Sequence, residues 1–174
     1  MNRATVVLLP GFQGRADQPI LVHLAQRLER VGFLCLRRAP PRLTLTPGLE
    51  TYGAWLDGEV AAVQGRLIVV GRSFGGRLAV RLASRRSLEA LVLLGFPIRP
   101  PGKKRPLDEA ALAGLTCPTW IAQGTKDELG PMRVLRKVAV AAQIFPVEGA
   151  GHGFGARESA TLDAAAAWLD RTAR

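Results

Sequence analysis

Leu67-Ile68-Val69-Val70-Gly71-Arg72-Ser73-Phe74-Gly75-Gly76 opens as an apolar run, breaks on glycine, and resumes at helical spacing with Leu78, Ala79, Leu82 and Ala83. This predicts a strand over Leu67–Val70, a tight turn and then a helix. A strand that reverses into a helix within so few residues brings backbone atoms close together, and Gly71, Gly75 and Gly76 remove the Cβ atoms that would collide. Ser73 is held at the apex, its hydroxyl in open space above the strand end. The Phe74 N–H lies near the start of the helix, where it can face an oxyanion. A bare Gly-x-Ser-x-Gly also arises as an ordinary connecting turn, so its weight here comes from the strand and helix on either side.

The rest of the chain repeats the alternation. Ala4–Leu9 is a continuous β-branched and leucine run ended by Pro10-Gly11, the pattern of a strand buried on both faces. Ile20, Leu21, Leu24, Leu28 and Val31 recur at helical spacing behind Asp17 and Gln18, and Gly32 stops that helix. Phe33–Leu36 is a second strand, followed by a long loop marked by Pro40, Pro41, Pro47 and Gly48 and by a helix over Leu49–Val63. Leu91–Leu94, Thr119–Ala122 and Ile144–Val147 add three strands, with helices near Asp108–Ala113 and Met132–Ala139 and a last helix over Thr161–Arg171. Strands alternating with helices form right-handed crossovers that cover a parallel sheet on both faces. The fold class is therefore α/β: a doubly wound, six-stranded, mostly parallel sheet, with residues 1–174 as one domain and no internal repeat.

Composition agrees. The 174 residues are 48% apolar and 22% charged, which excludes a disordered chain or a disulfide scaffold. A chain of this length buries about 70% of its unfolded surface, enough for a core without staples. Cys35 and Cys117 lie in apolar stretches and read as small thiols, neither bridged nor metal-bound, which fits a reducing compartment. The start, MNRATVVLLPGFQG, has only a short apolar run and no small-residue cleavage site, so no signal peptide is expected. No stretch approaches the roughly 20 apolar residues that span a bilayer. Cytoplasmic residence is the expectation.

The charge balance is less ordinary: twenty-four Lys and Arg against fourteen Asp and Glu, a formal +10, with twenty of the cations Arg. Such a surplus attracts nucleic acid or anionic surfaces. The densest cluster, Lys103-Lys104-Arg105, sits in a proline-rich loop without interleaved aromatics, so it reads as solvated surface and nucleic acid is not the expected partner.

A serine nucleophile needs a base, because its hydroxyl is barely ionised at neutral pH. Only two histidines are available. His23 falls inside the first helix and reads as a surface or packing residue. His152 lies in Gly149-Ala150-Gly151-His152-Gly153-Phe154, a glycine-rich loop directly after the last strand, where an imidazole can reach across the strand ends. Asp127 follows the fifth strand and emerges from the same sheet edge, with Glu128 as the substitute. An acid there accepts the imidazole N–H and fixes its tautomer. As a plain alternative, Asp127 and Glu128 could be turn residues or the N-terminal charge of the next helix. The order Ser, Asp, His, each after a strand, favours the catalytic assignment. The second oxyanion donor should come from Pro10-Gly11-Phe12-Gln13-Gly14, with the Phe12 N–H first and the Gln13 N–H as fallback.

Taken together these residues resemble the α/β-hydrolase superfamily, and more narrowly its small dienelactone-hydrolase-like branch. That branch also holds testis-expressed hydrolase-like proteins and a subunit of the non-specific-lethal acetyltransferase complex. The resemblance rests on GRSFGGRLA at 71–79, LVLLGFPIRPPGK at 91–103, LTCPTWIAQGTKDELG at 115–130 and GAGHGF at 149–154. It implies Ser73 as nucleophile, Asp127 as acid and His152 as general base. Many members of that branch carry His-Gly where this chain has Pro10-Gly11. The first strand here corresponds to the third of a full hydrolase, so a minimal version is expected. Phe96 to Thr116 holds only a Pro-rich loop and a short helix, too little for a cap domain, which implies a shallow site beside Phe12, Phe74, Phe96 and Phe154, with Gln13, Phe96 and Phe154 assigned to the substrate pocket.

The leading functional expectation is a serine hydrolase that cleaves a carboxylic ester or related acyl bond, with neither metal nor organic cofactor. The competing one is a weakly active or inactive interaction module on the same scaffold. Substrate identity and oligomeric state are not encoded in these motifs.

Overall fold

Runs of Val, Leu and Ile with no polar alternation can be strands only where both faces are covered, and that constraint organises the molecule. The computed structural model describes residues 4–41 and 49–173. Pro47 and Gly48 of the predicted loop lie outside those residues. The strands are β1 (Thr5–Leu9), β2 (Leu34–Arg37), β3 (Leu67–Arg72), β4 (Ala90–Leu94), β5 (Thr119–Gly124) and β6 (Gln143–Val147). They form one sheet in the order β2-β1-β3-β4-β5-β6, and every pairing is parallel. The helices are α1 (Pro19–Arg30), α2 (Leu49–Ala61), α3 (Phe74–Ala83), α4 (Pro106–Ala113), α5 (Met132–Val138) and α6 (Glu158–Thr172).

Two hydrophobic layers sandwich the sheet. On one face Leu21, Leu24 and Leu28 of α1 and Leu162 and Leu169 of α6 cover Val6, Leu8, Ile68, Val70 and Val92. On the other, Leu56 of α2 and Leu78 and Leu82 of α3 cover Val7, Leu9, Val69, Leu91 and Leu93, and α5 adds Leu135. Each fully buried aliphatic side chain of this kind contributes about 1.5–3 kcal/mol, so the alternation of β3 and β4 between layers fixes their register.

The element edges differ from the sequence reading in informative places. β3 runs on through Gly71 and Arg72 because both pair with Leu93 and Leu94 of β4. α4 starts at Pro106 rather than Asp108, since a proline at the first helical position lacks only an N–H that would have no helical partner. α6 starts at Glu158 rather than Thr161, led in by a 3-10 turn over Gly155–Arg157.

Topology places the site. After β1 the chain moves outward to β2 and then returns to β3 on the other side of β1, so the loops after β1 and β3 leave the sheet at its switch point. A crevice opens there, at the carboxyl ends of the strands.

Candidate active site

Ser73 sits between β3 and α3 with φ 49° and ψ −111°, a left-handed conformation that a non-glycine residue adopts only where its surroundings impose it. The imposition is visible. A Cβ on Gly75 would lie 2.6 Å from the carbonyl oxygens of Leu9 and Pro10, and one on Gly71 would overlap the backbone of Gly76. The Gly75 N–H donates to the Pro10 carbonyl (3.0 Å) and the Ser73 N–H to the Leu94 carbonyl (3.1 Å), tying the turn to the ends of β1 and β4.

Three strand-end loops meet at this hydroxyl. His152 Nε2 lies 2.9 Å from Ser73 Oγ, and His152 Nδ1 lies 2.7 Å from Asp127 Oδ2. Asp127 also accepts from Gln123 Nε2 (2.8 Å) at Oδ2 and from the Leu129 N–H (2.9 Å) at Oδ1. The loops carrying Asp127 and His152 are bound to each other, with the Lys126 N–H donating to the Ala150 carbonyl (2.9 Å) and the Gly149 N–H to Thr125 Oγ1 (2.9 Å). Glu128 is exposed and His23 stands on α1 with Nδ1 3.5 Å from Glu158 Oε1, so neither joins this line.

Two residues that sequence reasoning passed over build the surroundings of His152. Arg72 is buried, only 8% exposed, although it precedes the turn by one residue. Its guanidinium donates to the Leu94 carbonyl (3.0 Å) and to the His152 carbonyl (2.7 Å), stands 3.2 Å from His152 Nε2, and covers the Phe154 ring at 5.7 Å. Burial pulls this guanidinium below its ordinary proton affinity, and the carboxylates of Asp127 and Glu158 act in the opposite sense. Gln123, fully buried at the end of β5, accepts from the Phe96 N–H (2.8 Å) and donates to the Gly130 carbonyl (3.0 Å) as well as to Asp127. The signal available in the sequence was a polar residue ending each of two otherwise apolar strands.

The imidazole tautomer follows from its neighbours. A guanidinium donates and cannot accept, and a carboxylate accepts and cannot donate. Nδ1 therefore carries the hydrogen toward Asp127, and the Nε2 lone pair faces both Arg72 and the Ser73 hydroxyl.

The first loop lies beside this line. The Gly11 N–H donates to Gln18 Oε1 (3.1 Å), so a side chain from the start of α1 shapes the Pro10-Gly11 segment. Among the described residues the N–H groups of Phe12 and Phe74 have no acceptor. The Phe12 ring is 55% exposed and meets the Phe74 ring edge-on at 5.7 Å.

A cavity of about 500 Å³ opens on Ser73. Phe12 and Phe74 form one wall, Leu49 and Tyr52 of α2 another, and Pro97, Lys103 and Arg105 of the loop after β4 a third, with Arg77 and Leu129 also at its surface. The pocket assignments of Phe96, Phe154 and Gln13 need correction. Gly95 at φ 65° turns the chain so that the fully buried Phe96 ring packs over Gly76, and Phe154, itself left-handed at φ 61°, is 2% exposed beneath Arg72. Gln13 is exposed on the first loop and does not line the cavity. Arg105, read from sequence as solvated, is half-buried and donates to the Pro97 carbonyl (2.9 Å).

Among the described residues no group of three or more His, Cys, Asp and Glu could hold a metal ion, and no helix is long and apolar enough to cross a membrane. Cys35 and Cys117 are free thiols, and burial pushes Cys35 up to about 12.

Comparison with known proteins bears on this geometry. A family model described as an alpha/beta hydrolase domain matches residues 27–174. Among solved structures, the dienelactone hydrolase of Anabaena variabilis superposes with a TM-score of 0.81 at 18% identity, covering 99% of this chain and 88% of its own. The monoacylglycerol lipase of Paleococcus ferrophilus gives 0.80 at 13% identity, covering 99% and 97%. Est1E from Butyrivibrio proteoclasticus gives 0.76 at 15% identity, covering 98% and 88%. At these identities the likeness is one of fold.

Proposed function

Because the chain belongs to the alpha/beta hydrolase domain family, we propose that it is a serine hydrolase that cleaves carboxylic esters or related acyl bonds through an acyl-enzyme. The observation that carries this reading is the continuous line from Ser73 Oγ through the imidazole to Asp127, at 2.9 Å and 2.7 Å. Both lengths are those of good hydrogen bonds, and the tautomer leaves the Nε2 lone pair toward the hydroxyl.

In this reaction Ser73 Oγ attacks the acyl carbon as its proton passes to His152 Nε2, and Asp127 stabilises the resulting imidazolium through Nδ1–H. The developing oxyanion takes hydrogen bonds from the Phe74 and Phe12 N–H groups, the latter assigned from its place on the loop after β1. His152 then returns the proton to the leaving alcohol. Water adds to the acyl-enzyme by the same route, releasing the acid and restoring Ser73. Free thiols at Cys35 and Cys117 favour a cytoplasmic setting.

The test is labelling by a fluorophosphonate probe together with turnover of p-nitrophenyl esters of graded chain length. We expect wild type and His23→Ala to label. Ser73→Ala is expected to lose labelling, and its kcat should fall by on the order of 10⁴-fold or more. A folded wild type that neither labels nor turns over any ester would overturn the reading in favour of a binding module.

A further inference from the structure

Beneath the line from Ser73 to Asp127, a single amide grips two loops at once. Gln123 lies near the end of β5 and is fully buried. Its Oε1 accepts from the Phe96 N–H (2.8 Å), and its Nε2 donates to Asp127 Oδ2 (2.8 Å) and to the Gly130 carbonyl (3.0 Å). A side-chain amide has one oxygen and two N–H groups, so both donors are spent and the oxygen is engaged. Its orientation is forced. Only the oxygen can face the Phe96 N–H, and only the nitrogen can face a carboxylate and a carbonyl. The chain is shaped around this group, since a Cβ on Gly130 would overlap the Gln123 amide and the Phe96 carbonyl.

The carboxylate oxygen that receives the amide is the one that receives His152. Oδ2 of Asp127 takes both Gln123 Nε2 and, at 2.7 Å, His152 Nδ1, while Oδ1 takes the Leu129 N–H at 2.9 Å. The terminal torsion of an aspartate is broad, so one donor on Oδ1 leaves the carboxylate plane free to swing about that contact. A second donor on Oδ2, itself anchored to the main chain of Phe96 and Gly130, fixes the plane and keeps Oδ2 in line with the imidazole. A plug that merely satisfied the strand-end main chain would need Phe96 and Gly130 alone. The Phe96 peptide also opens the loop whose Pro97 and Arg105 line the cavity, so acid and cavity wall are set against one side chain.

We propose that Gln123 is a positioning residue for the hydrolytic reaction, orienting the Asp127 carboxylate so that Oδ2 holds the Nδ1–H of His152. This rests on the hydrolase reading and deepens it. Gln123 acts only through Asp127 and the imidazole.

Two readouts test it. With p-nitrophenyl esters, Gln123→Met keeps much of the shape but neither donor nor acceptor. It should lower kcat about tenfold to hundredfold, with KM changed less than about twofold. The control is Leu28→Ala, a fully buried residue of α1 whose carbonyl meets the Phe33 N–H just before β2, at the other end of the sheet. It loses stability as any large-to-small core change does, and should leave kcat within about twofold. Should Gln123→Met fail to fold, Gln123→Glu keeps the acceptor for the Phe96 N–H. Its carboxyl either repels Asp127 or shares a proton with it, loosening Oδ2 in both cases, so the same kcat loss is expected. The second readout is the proton NMR signal of Nδ1–H, which lies far downfield when a carboxylate holds it and needs no substrate. It should be seen in wild type and Leu28→Ala, and move upfield or broaden away in the Gln123 variants. Variants at Gln123 that lose no more kcat than Leu28→Ala, with that proton unmoved, would overturn the proposal and leave the hydrolase reading standing. A loss carried by KM would overturn it too. A downfield proton that depends on Gln123, in a protein that turns over no ester, would uphold the positioning and sink the hydrolase reading instead.

Discussion

On the His152 side of Ser73 the polar groups are closed upon one another. Gln123 and Arg72 satisfy carbonyls, a carboxylate and the imidazole, and no buried side-chain nitrogen or oxygen among the described residues lacks a partner. On the cavity side the charged side chains are cations: Arg77 is paired with the buried Asp108, Arg105 donates to the Pro97 carbonyl, and Lys103 has no partner among the described residues. The first arrangement resists change, since removing any one member strands another in a low-dielectric setting. The second is looser, since Arg105 and Lys103 face the space without a carboxylate partner among the described residues. In the proposed reaction the closed half would hold the imidazole and the looser half would receive the substrate, and the two meet at one hydroxyl.

The sharpest way to break this contrast is at the closed half. In Asp127→Asn the amide would turn a donor toward Nδ1, leaving the imidazole hydrogen on Nε2 and pointing at Ser73. We expect kcat to fall on the order of 10⁴-fold with the fold retained, as an inverted tautomer dictates. Equal loss in kcat and KM, or a loss below about tenfold, would show that the carboxylate does not set the tautomer.

Arg72→Met is the next largest. It removes the donor to the Leu94 carbonyl, which keeps the Ser73 N–H, the donor to the partly buried His152 carbonyl, and the contact at Nε2. Leaving a buried acceptor unpaired costs about 1–3 kcal/mol, so a lower melting temperature is expected. A structural role alone would stop there. As a positioning residue for the imidazole, Arg72 should also carry a kcat loss of roughly 10-fold to 100-fold with KM little moved. Arg72→Lys, keeping charge but not the fork, should recover less than half of that loss on a logarithmic scale.

How much of this was legible in the sequence follows the same division. Ser73, Asp127 and His152 could be placed because each follows a strand, and parallel strands deliver their ends to one edge whatever the loops do. Arg72 and Gln123 could not, because their partners are main-chain atoms of Leu94, His152, Gly130 and Phe96, and no residue type announces a carbonyl. Phe96 and Phe154 stood in the right loops, but left-handed turns at Gly95 and at Phe154 itself send both rings into the core. The cavity wall from α2 was equally hidden, since Leu49 and Tyr52 approach Ser73 only through the packing of α2 on α3. Lys103-Lys104-Arg105 read as a solvated cluster for want of the Pro97 carbonyl that draws Arg105 inward.

The smallest effect belongs to the open half and separates two roles that coincide in one residue. Phe12 contributes a backbone N–H assigned to the oxyanion and a ring that meets Phe74 at the cavity wall. Phe12→Ala keeps the N–H and removes the ring. Because 55% of the residue is exposed, deleting the ring removes little of the core and should shift the melting temperature by no more than a degree or two. A ring that touches substrate equally in ground and transition states adds only uniform binding, so its loss is expected to fall on KM, by about threefold to tenfold. If kcat falls instead, the ring is holding the Pro10-Gly11-Phe12 loop in the conformation that aims its N–H, and Gln18 and the Pro10 carbonyl bond to Gly75 are insufficient to do so alone.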